Sequence, residues 1–169
     1  MLSDKAKYSA NILKNYSTLL PHKHRCCARV GRQGDNQQQS ISIAPKCENL
    51  GSVVHELGHV IGFWHEHSRP DRDAFVEIFT KNIETKNLFN FEQKSYNEVN
   101  SLGEPYDYDS IMHYRTNAFA KTDGLETMRP KHGSRRIGIT SKPSKGDTKQ
   151  VNMLYKCPCK SHFVCKIII

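Results

Sequence analysis

From residue 55 to residue 67 the chain reads His-Glu-Leu-Gly-His-Val-Ile-Gly-Phe-Trp-His-Glu-His. His55 and His59 are four residues apart, so a helix presents both imidazoles on one face. Gly62 accepts a backbone conformation that ends the helix and turns the chain back. That turn lets His65 supply a third nitrogen from the far side. Three neutral imidazoles leave one corner of a tetrahedral zinc open to water, the arrangement a catalytic zinc needs. Glu56 then lies beside the metal as a carboxylate able to take a proton from that water and pass it to a leaving amine. The pattern implies one zinc per chain and hydrolysis of peptide bonds.

Blander readings exist at each position. A lone H-E-x-x-H arises by chance in helices that contain histidine. His65 precedes Glu66 and His67 and would, alone, pass for a surface residue in a polar run. Adding Gly62 and His65 at the required offsets favours the metal reading. Phe63 and Trp64 are expected in the core. His67 is expected behind the ligands or on the surface, since three imidazoles already complete the protein's share of the site.

A second motif lies downstream, where residues 106 to 114 read Tyr-Asp-Tyr-Asp-Ser-Ile-Met-His-Tyr. Together with the first motif it resembles the astacin family of metzincin metalloendopeptidases, closest to the tolloid and bone morphogenetic protein 1 branch. Cys-Cys-Ala-Arg-Val-Gly-Arg at 26 to 32, Ser-Leu-Gly-Glu-Pro-Tyr-Asp-Tyr-Asp-Ser at 101 to 110, Ser-Lys-Gly-Asp at 144 to 147 and Leu-Tyr-Lys-Cys-Pro-Cys at 154 to 159 are similar to that branch as well. The resemblance implies an α+β zincin-like domain, with a sheet-bearing upper lobe and an irregular lower lobe ending in a C-terminal helix. It implies that His55, His59 and His65 hold zinc and that Glu56 is general base and acid. Met112 would form an apolar floor beneath the metal. Tyr114 would be an extra ligand at rest and would swing to donate a hydrogen bond to the developing oxyanion. The plain alternatives are core packing for Met112 and an amphipathic aromatic for Tyr114. His113 is expected to be structural.

The length allows one domain with a real core. Lys and Arg number 25 against 17 Asp and Glu, a net +8 with a pI near 9.2. Such a surface attracts acidic substrates, anionic matrix or nucleic acid, but no nucleic-acid motif is present. The tightest basic cluster is Lys131, His132, Arg135 and Arg136, followed by Lys142. In the tolloid branch this stretch is associated with a preference for aspartate after the scissile bond, which makes Arg135, Arg136 and Lys142 candidate substrate contacts; a solvated loop is the alternative. Six cysteines suggest an oxidising compartment. Fifteen pairings are possible, and the bridge expected first joins Cys26 or Cys27 to Cys47. The resemblance implies secretion and protein substrates, extracellular matrix or growth-factor related. The apolar run from Phe163 to Ile169 is far too short to span a bilayer.

The expected division is 1–25 as a divergent leading segment, 26–159 as the metalloprotease domain and 160–169 as a tail. Residues 1–25 match none of the strand pair, long helix or buried amino terminus that the family places before its Cys-Cys segment. The expectation is a truncated, alternatively spliced or divergent chain with unpaired sheet edges and no amino group against Glu66. No apolar signal-peptide core opens the sequence, and Asn15-Tyr16-Ser17 is a glycosylation sequon. Locally, residues 8–20 pattern as an amphipathic helix, Ser40–Ala44 as a strand and Ser52–Phe63 as the metal helix. Phe75–Ile83 reads as strand or turn, Asn82–Gln93 as mixed helix and loop, and Thr127–Pro130 as extended. Ser144 and Asp147 have capping-box spacing ahead of a helix. Three functions follow: a secreted zinc endopeptidase, a catalytically impaired fragment that binds zinc or substrate without turnover, and a basic heparin-binding module.

Overall fold

The computed structural model describes residues 1–3, 17–21, 25–34, 37–133, 135–138 and 141–157. Among them lie strands β1 (Leu2–Ser3), β2 (Ser17–Pro21) and β3 (Gln39–Ile43), helix α1 (Leu50–Ile61), strands β4 (Val76–Ile78), β5 (Val99–Asn100) and β6 (Met128–Pro130), and helix α2 (Lys145–Leu154). The strands form three two-stranded sheets: β1 with β5 antiparallel, β2 with β3 parallel, and β4 with β6 antiparallel. Short 3-10 turns at Glu66–Ser68, Arg72–Ala74, Thr80–Asn82 and Thr85–Phe91 follow α1. The arrangement is the expected α+β one.

Two expectations about the leading segment are corrected. Ser17–Pro21 is not the end of a helix; it pairs with β3 in register from Ser17 opposite Gln39 to Pro21 opposite Ile43. A helix of a dozen residues is marginal by itself, whereas the open edge of β3 offers a ladder of unpaired backbone groups. The rest of that expected helix, and Cys159, Cys165 and the run from Phe163, lie outside the described residues. The second correction concerns the amino terminus. Met1 is buried, and its amino group lies 3.8 Å from Glu66 Oε2. Its carbonyl accepts the Trp64 N–H at 3.0 Å, and Leu2 bridges Phe63.

Among the described residues two apolar clusters are buried. Val76, Ile83, Phe91, Tyr106, Met128 and Ile137 form one; Leu2, Phe63, Ile111 and Met112 form the other, with Val151 and Leu154 of α2 packed against it. Phe63 is in the core as expected, but Trp64 is only half-buried, with the Lys94 ammonium 4.3 Å from its ring centre.

Helix α2 begins with the capping box that the sequence implies: Ser144 Oγ accepts the Asp147 N–H at 2.8 Å and Asp147 accepts the Ser144 N–H at 2.8 Å. The same buried carboxylate accepts the Ser110 hydroxyl at 2.7 Å and the Ile111 N–H at 2.9 Å. One side chain therefore starts a helix and clamps the turn at 110–112. Asp147→Ala would leave these donors buried without an acceptor, at a cost of about 2–4 kcal/mol. Urea denaturation should show that loss, and an unchanged midpoint would mean that the clamp stabilises nothing.

Candidate metal centre

Helix α1 starts where Asn49 accepts the Ser52 N–H at 3.0 Å and stops at Gly62, whose φ of 114° is a left-handed conformation that glycine adopts without strain. The Gly62 N–H closes on Gly58 and His59, and Phe63 N–H donates to Gly58 O at 3.0 Å. The reversal brings His65 back over the helix. Gly58 is needed for a different reason: a β-carbon there would lie 2.6 Å from Met112 Sδ, and Met112 is fully buried. Met112 thus packs directly against the metal helix.

His55, His59 and His65 converge, their ligand atoms all within 4.8 Å of one another. His55 Nδ1 donates to the Ile111 carbonyl and His59 Nδ1 to the Phe63 carbonyl, each at 2.8 Å. These bonds place the proton on Nδ1 and leave Nε2 as a lone pair. His55 Nε2 lies 3.2 Å from His65 Nε2, near the spacing of about 3.4 Å that two nitrogens on one tetrahedral zinc show. Burial, reinforced by mutual repulsion, depresses the basicity of His59 to about 3 and of His65 well below its usual range; burial lowers His55 too. Neutral imidazoles with inward lone pairs are what zinc requires, so the residues fit the metal.

Glu56 is buried, and its Oε2 has no hydrogen-bond partner. Burial pushes its pKa up to about 7, against a hydrogen bond from the backbone at Ala28. Burial also raises the Tyr114 hydroxyl, and the charge of Glu56 raises it further. The Tyr114 ring is 4.3 Å from His65 and 4.1 Å from His67, centre to centre. His67 is fully buried, which settles its place: its Nε2 bonds the Asn90 carbonyl at 2.9 Å and its ring backs both His65 and Tyr114. His113 is buried too, bonded to the Tyr106 hydroxyl at 2.8 Å and to the Tyr114 carbonyl at 2.9 Å.

Glu66 joins the third histidine to the rest of the fold. Its N–H donates to Met112 O at 3.1 Å. Its Oε1 accepts the Asp107 N–H at 2.9 Å and Arg69 at 3.1 Å, while Arg69 makes a two-point bond to Asp71 at 2.8 Å each. Burial raises the Glu66 carboxyl; the Met1 amino group and Arg69 oppose that rise.

Arg135 and Arg136 come together on the lining of a cavity of about 840 Å³ that Arg115 and Arg129 also line; Lys142 does not line it and lies exposed ahead of α2. The Arg135 guanidinium sits 5.6 Å from the Tyr108 ring centre. The expected disulfide is Cys26–Cys47, leaving Cys27 exposed as a thiol. Sequence reasoning missed the carbonyls of Ile111 and Phe63 that orient the ligands, because any residue type supplies a carbonyl. Of the two places expected for His67, behind the ligands or on the surface, the structure has the first; nothing in its polar neighbours signals full burial.

The buried imidazoles have a consequence for acid stability. His59 and His67 are depressed by burial to about 3 and His113 to about 4. Unfolded histidines protonate near 6.5, so between about pH 6.5 and 4 the unfolded chain binds more protons and stability falls with pH. Glu56 and Glu66, raised by burial, oppose this over part of the same window, but the depressed histidines outnumber them. The urea midpoint of the metal-free chain should therefore drop between pH 7 and pH 5; a rise would refute the neutral burial of these rings.

The profile of Astacin, a peptidase family, matches residues 6–156. The match reaches into the stretch before Cys26, against the expectation from the motifs. Zinc metalloproteinase nas-39 of Caenorhabditis elegans is 50% identical over 147 residues, 85% of this chain and 16% of that protein. Tolloid-like protein 1 of Homo sapiens is 53% identical over 137 residues, 79% of this chain and 13% of its own length. The chain thus spans less than a fifth of these relatives. The fold is similar to that of high choriolytic enzyme 1, a hatching enzyme zinc-protease from Oryzias latipes, with a TM-score of 0.78 at 36% identity, covering 85% of this chain and 70% of the other. With most of its length matched by the family profile and by relatives at half identity, the chain belongs to the astacin family.

Proposed function

We propose that this chain is a zinc-dependent endopeptidase acting on extracellular proteins. The observation that carries the reading is the buried, unpartnered Glu56 oxygen on the same helix as two of three converging neutral imidazoles. His55, His59 and His65 would hold the metal, with Tyr114 as a further ligand at rest. A bound zinc supplies a Lewis acid and acidifies its water. Glu56, poised by burial near neutrality, accepts a proton from the attacking water and delivers it to the leaving nitrogen. The Tyr114 hydroxyl, kept protonated by burial and by Glu56, donates to the oxygen that becomes negative as the peptide carbon turns tetrahedral. Gly62 and Met112 hold the geometry from below. Arg135, Arg136 and Lys142 provide positive charge for an acidic residue of the substrate. The Cys26–Cys47 bridge fits an oxidising, extracellular setting.

Metal analysis paired with a quenched-peptide assay tests the assignment. Glu56→Ala should retain zinc and lose about 10²–10⁴ in kcat, whereas His59→Ala should lose both. Hydrolysis by Glu56→Ala at the parent rate would sink the mechanism. Tyr114→Phe, which deletes only a hydroxyl, should lower kcat about 10²–10³-fold with a smaller change in KM; an unaltered kcat would remove Tyr114 from the chemistry.

A further inference from the structure

Phe119 is held in a backbone conformation that its residue type disfavours. Its φ is 55°, the left-handed region in which a β-carbon crowds the following carbonyl and which bulky residues rarely enter. The surrounding turn enforces it. Ala118 N–H donates to Arg115 O at 3.2 Å, and the Ala118 carbonyl accepts the Thr127 hydroxyl at 2.7 Å. The Phe119 carbonyl accepts the Glu84 N–H at 3.0 Å, Ala120 N–H donates to Asn117 O at 3.2 Å, and Ala120 bridges Ile83. Glycine would occupy this position without strain.

The phenyl ring is only partly used by the fold. It lies 5.6 Å from the Tyr114 ring and 6.3 Å from Phe91, centre to centre, yet Phe119 remains 40% exposed while Phe91 is 4% exposed. Tyr114 in turn lies 4.3 Å from His65. One ring therefore separates this open apolar face from the histidine cluster. Strained residues that the structure over-determines concentrate where a side chain must be presented for use.

We infer that Phe119 forms the wall of an apolar subsite and selects substrates with a large aliphatic or aromatic side chain near the scissile bond. Its ring gives that side chain a hydrophobic surface and an edge-to-face partner. The strained backbone keeps the ring partly exposed beside Tyr114. This inference deepens the peptidase reading and rests on it.

The test compares the parent with Phe119→Gly and Phe119→Leu on peptides in which each residue flanking the cleaved bond is varied among Phe, Leu and Gly. At one position the parent should prefer Phe or Leu to Gly by about tenfold in kcat/KM. Phe119→Gly should narrow that preference to about twofold, and Phe119→Leu should restore part of it. The urea midpoint of Phe119→Gly should be equal to or above the parent's, because strain is released. A uniform loss on every peptide with a lower midpoint would make Phe119 a packing residue and overturn the inference, as would an unchanged preference. Calorimetric affinities of the same peptides for zinc-loaded Glu56→Ala separate the two levels. Phe119-dependent affinity with a parent that cleaves nothing would keep the subsite and reject the peptidase reading. Cleavage and affinity both indifferent to Phe119 would do the reverse.

Discussion

Asp147 places a carboxyl group inside the molecule and uses it three ways, on the start of α2, on the Ser110 hydroxyl and on the Ile111 N–H. The turn it fixes then serves the metal centre through its backbone. The Ile111 carbonyl holds His55, the Met112 carbonyl holds the N–H of Glu66 beside the third histidine, and the Met112 side chain fills the space left by the absent β-carbon of Gly58. A change at any one of these contacts reaches the histidines through a short chain of bonded groups. Buried networks of this kind are rigid when fully satisfied and costly when broken.

Electrostatics follow from the same burial. Histidines taken out of water stay neutral, which leaves them able to bind a metal. Glu56, taken out of water with one oxygen unpartnered, is moved towards neutrality. Glu66 is also buried but is surrounded by an arginine, an amino group and a backbone N–H. Two glutamates of one segment thus differ because their surroundings differ, one left with an open oxygen and the other anchored by several donors.

Much of the candidate site was legible in the sequence because its parts are local. The 3.6-residue period puts His55 and His59 on one face, Gly62 marks the stop, and Ser144 with Asp147 marks the next helix start. The α+β class and the Cys26–Cys47 bridge were within reach as well. Ser17–Pro21 departs from the helical pattern because that pattern is weaker than the pull of an open strand edge in β3. Trp64 sits shallower than an indole in an apolar run suggests, since its ring covers surface under Lys94.

By itself the sequence determined the three candidate ligands, the spacing of the imidazoles and the helix that carries two of them. Those properties depend on covalent order and on short-range backbone geometry. Only the tertiary structure decided which nitrogen of each ring faces inward, that His67 is a buried platform, that Arg115, Arg129, Arg135 and Arg136 share one cavity and that Phe119 stands strained beside Tyr114. Each of these rests on a contact made through space by a carbonyl, a ring face or a cavity wall, and residue type alone does not encode which of many possible partners such a group will meet.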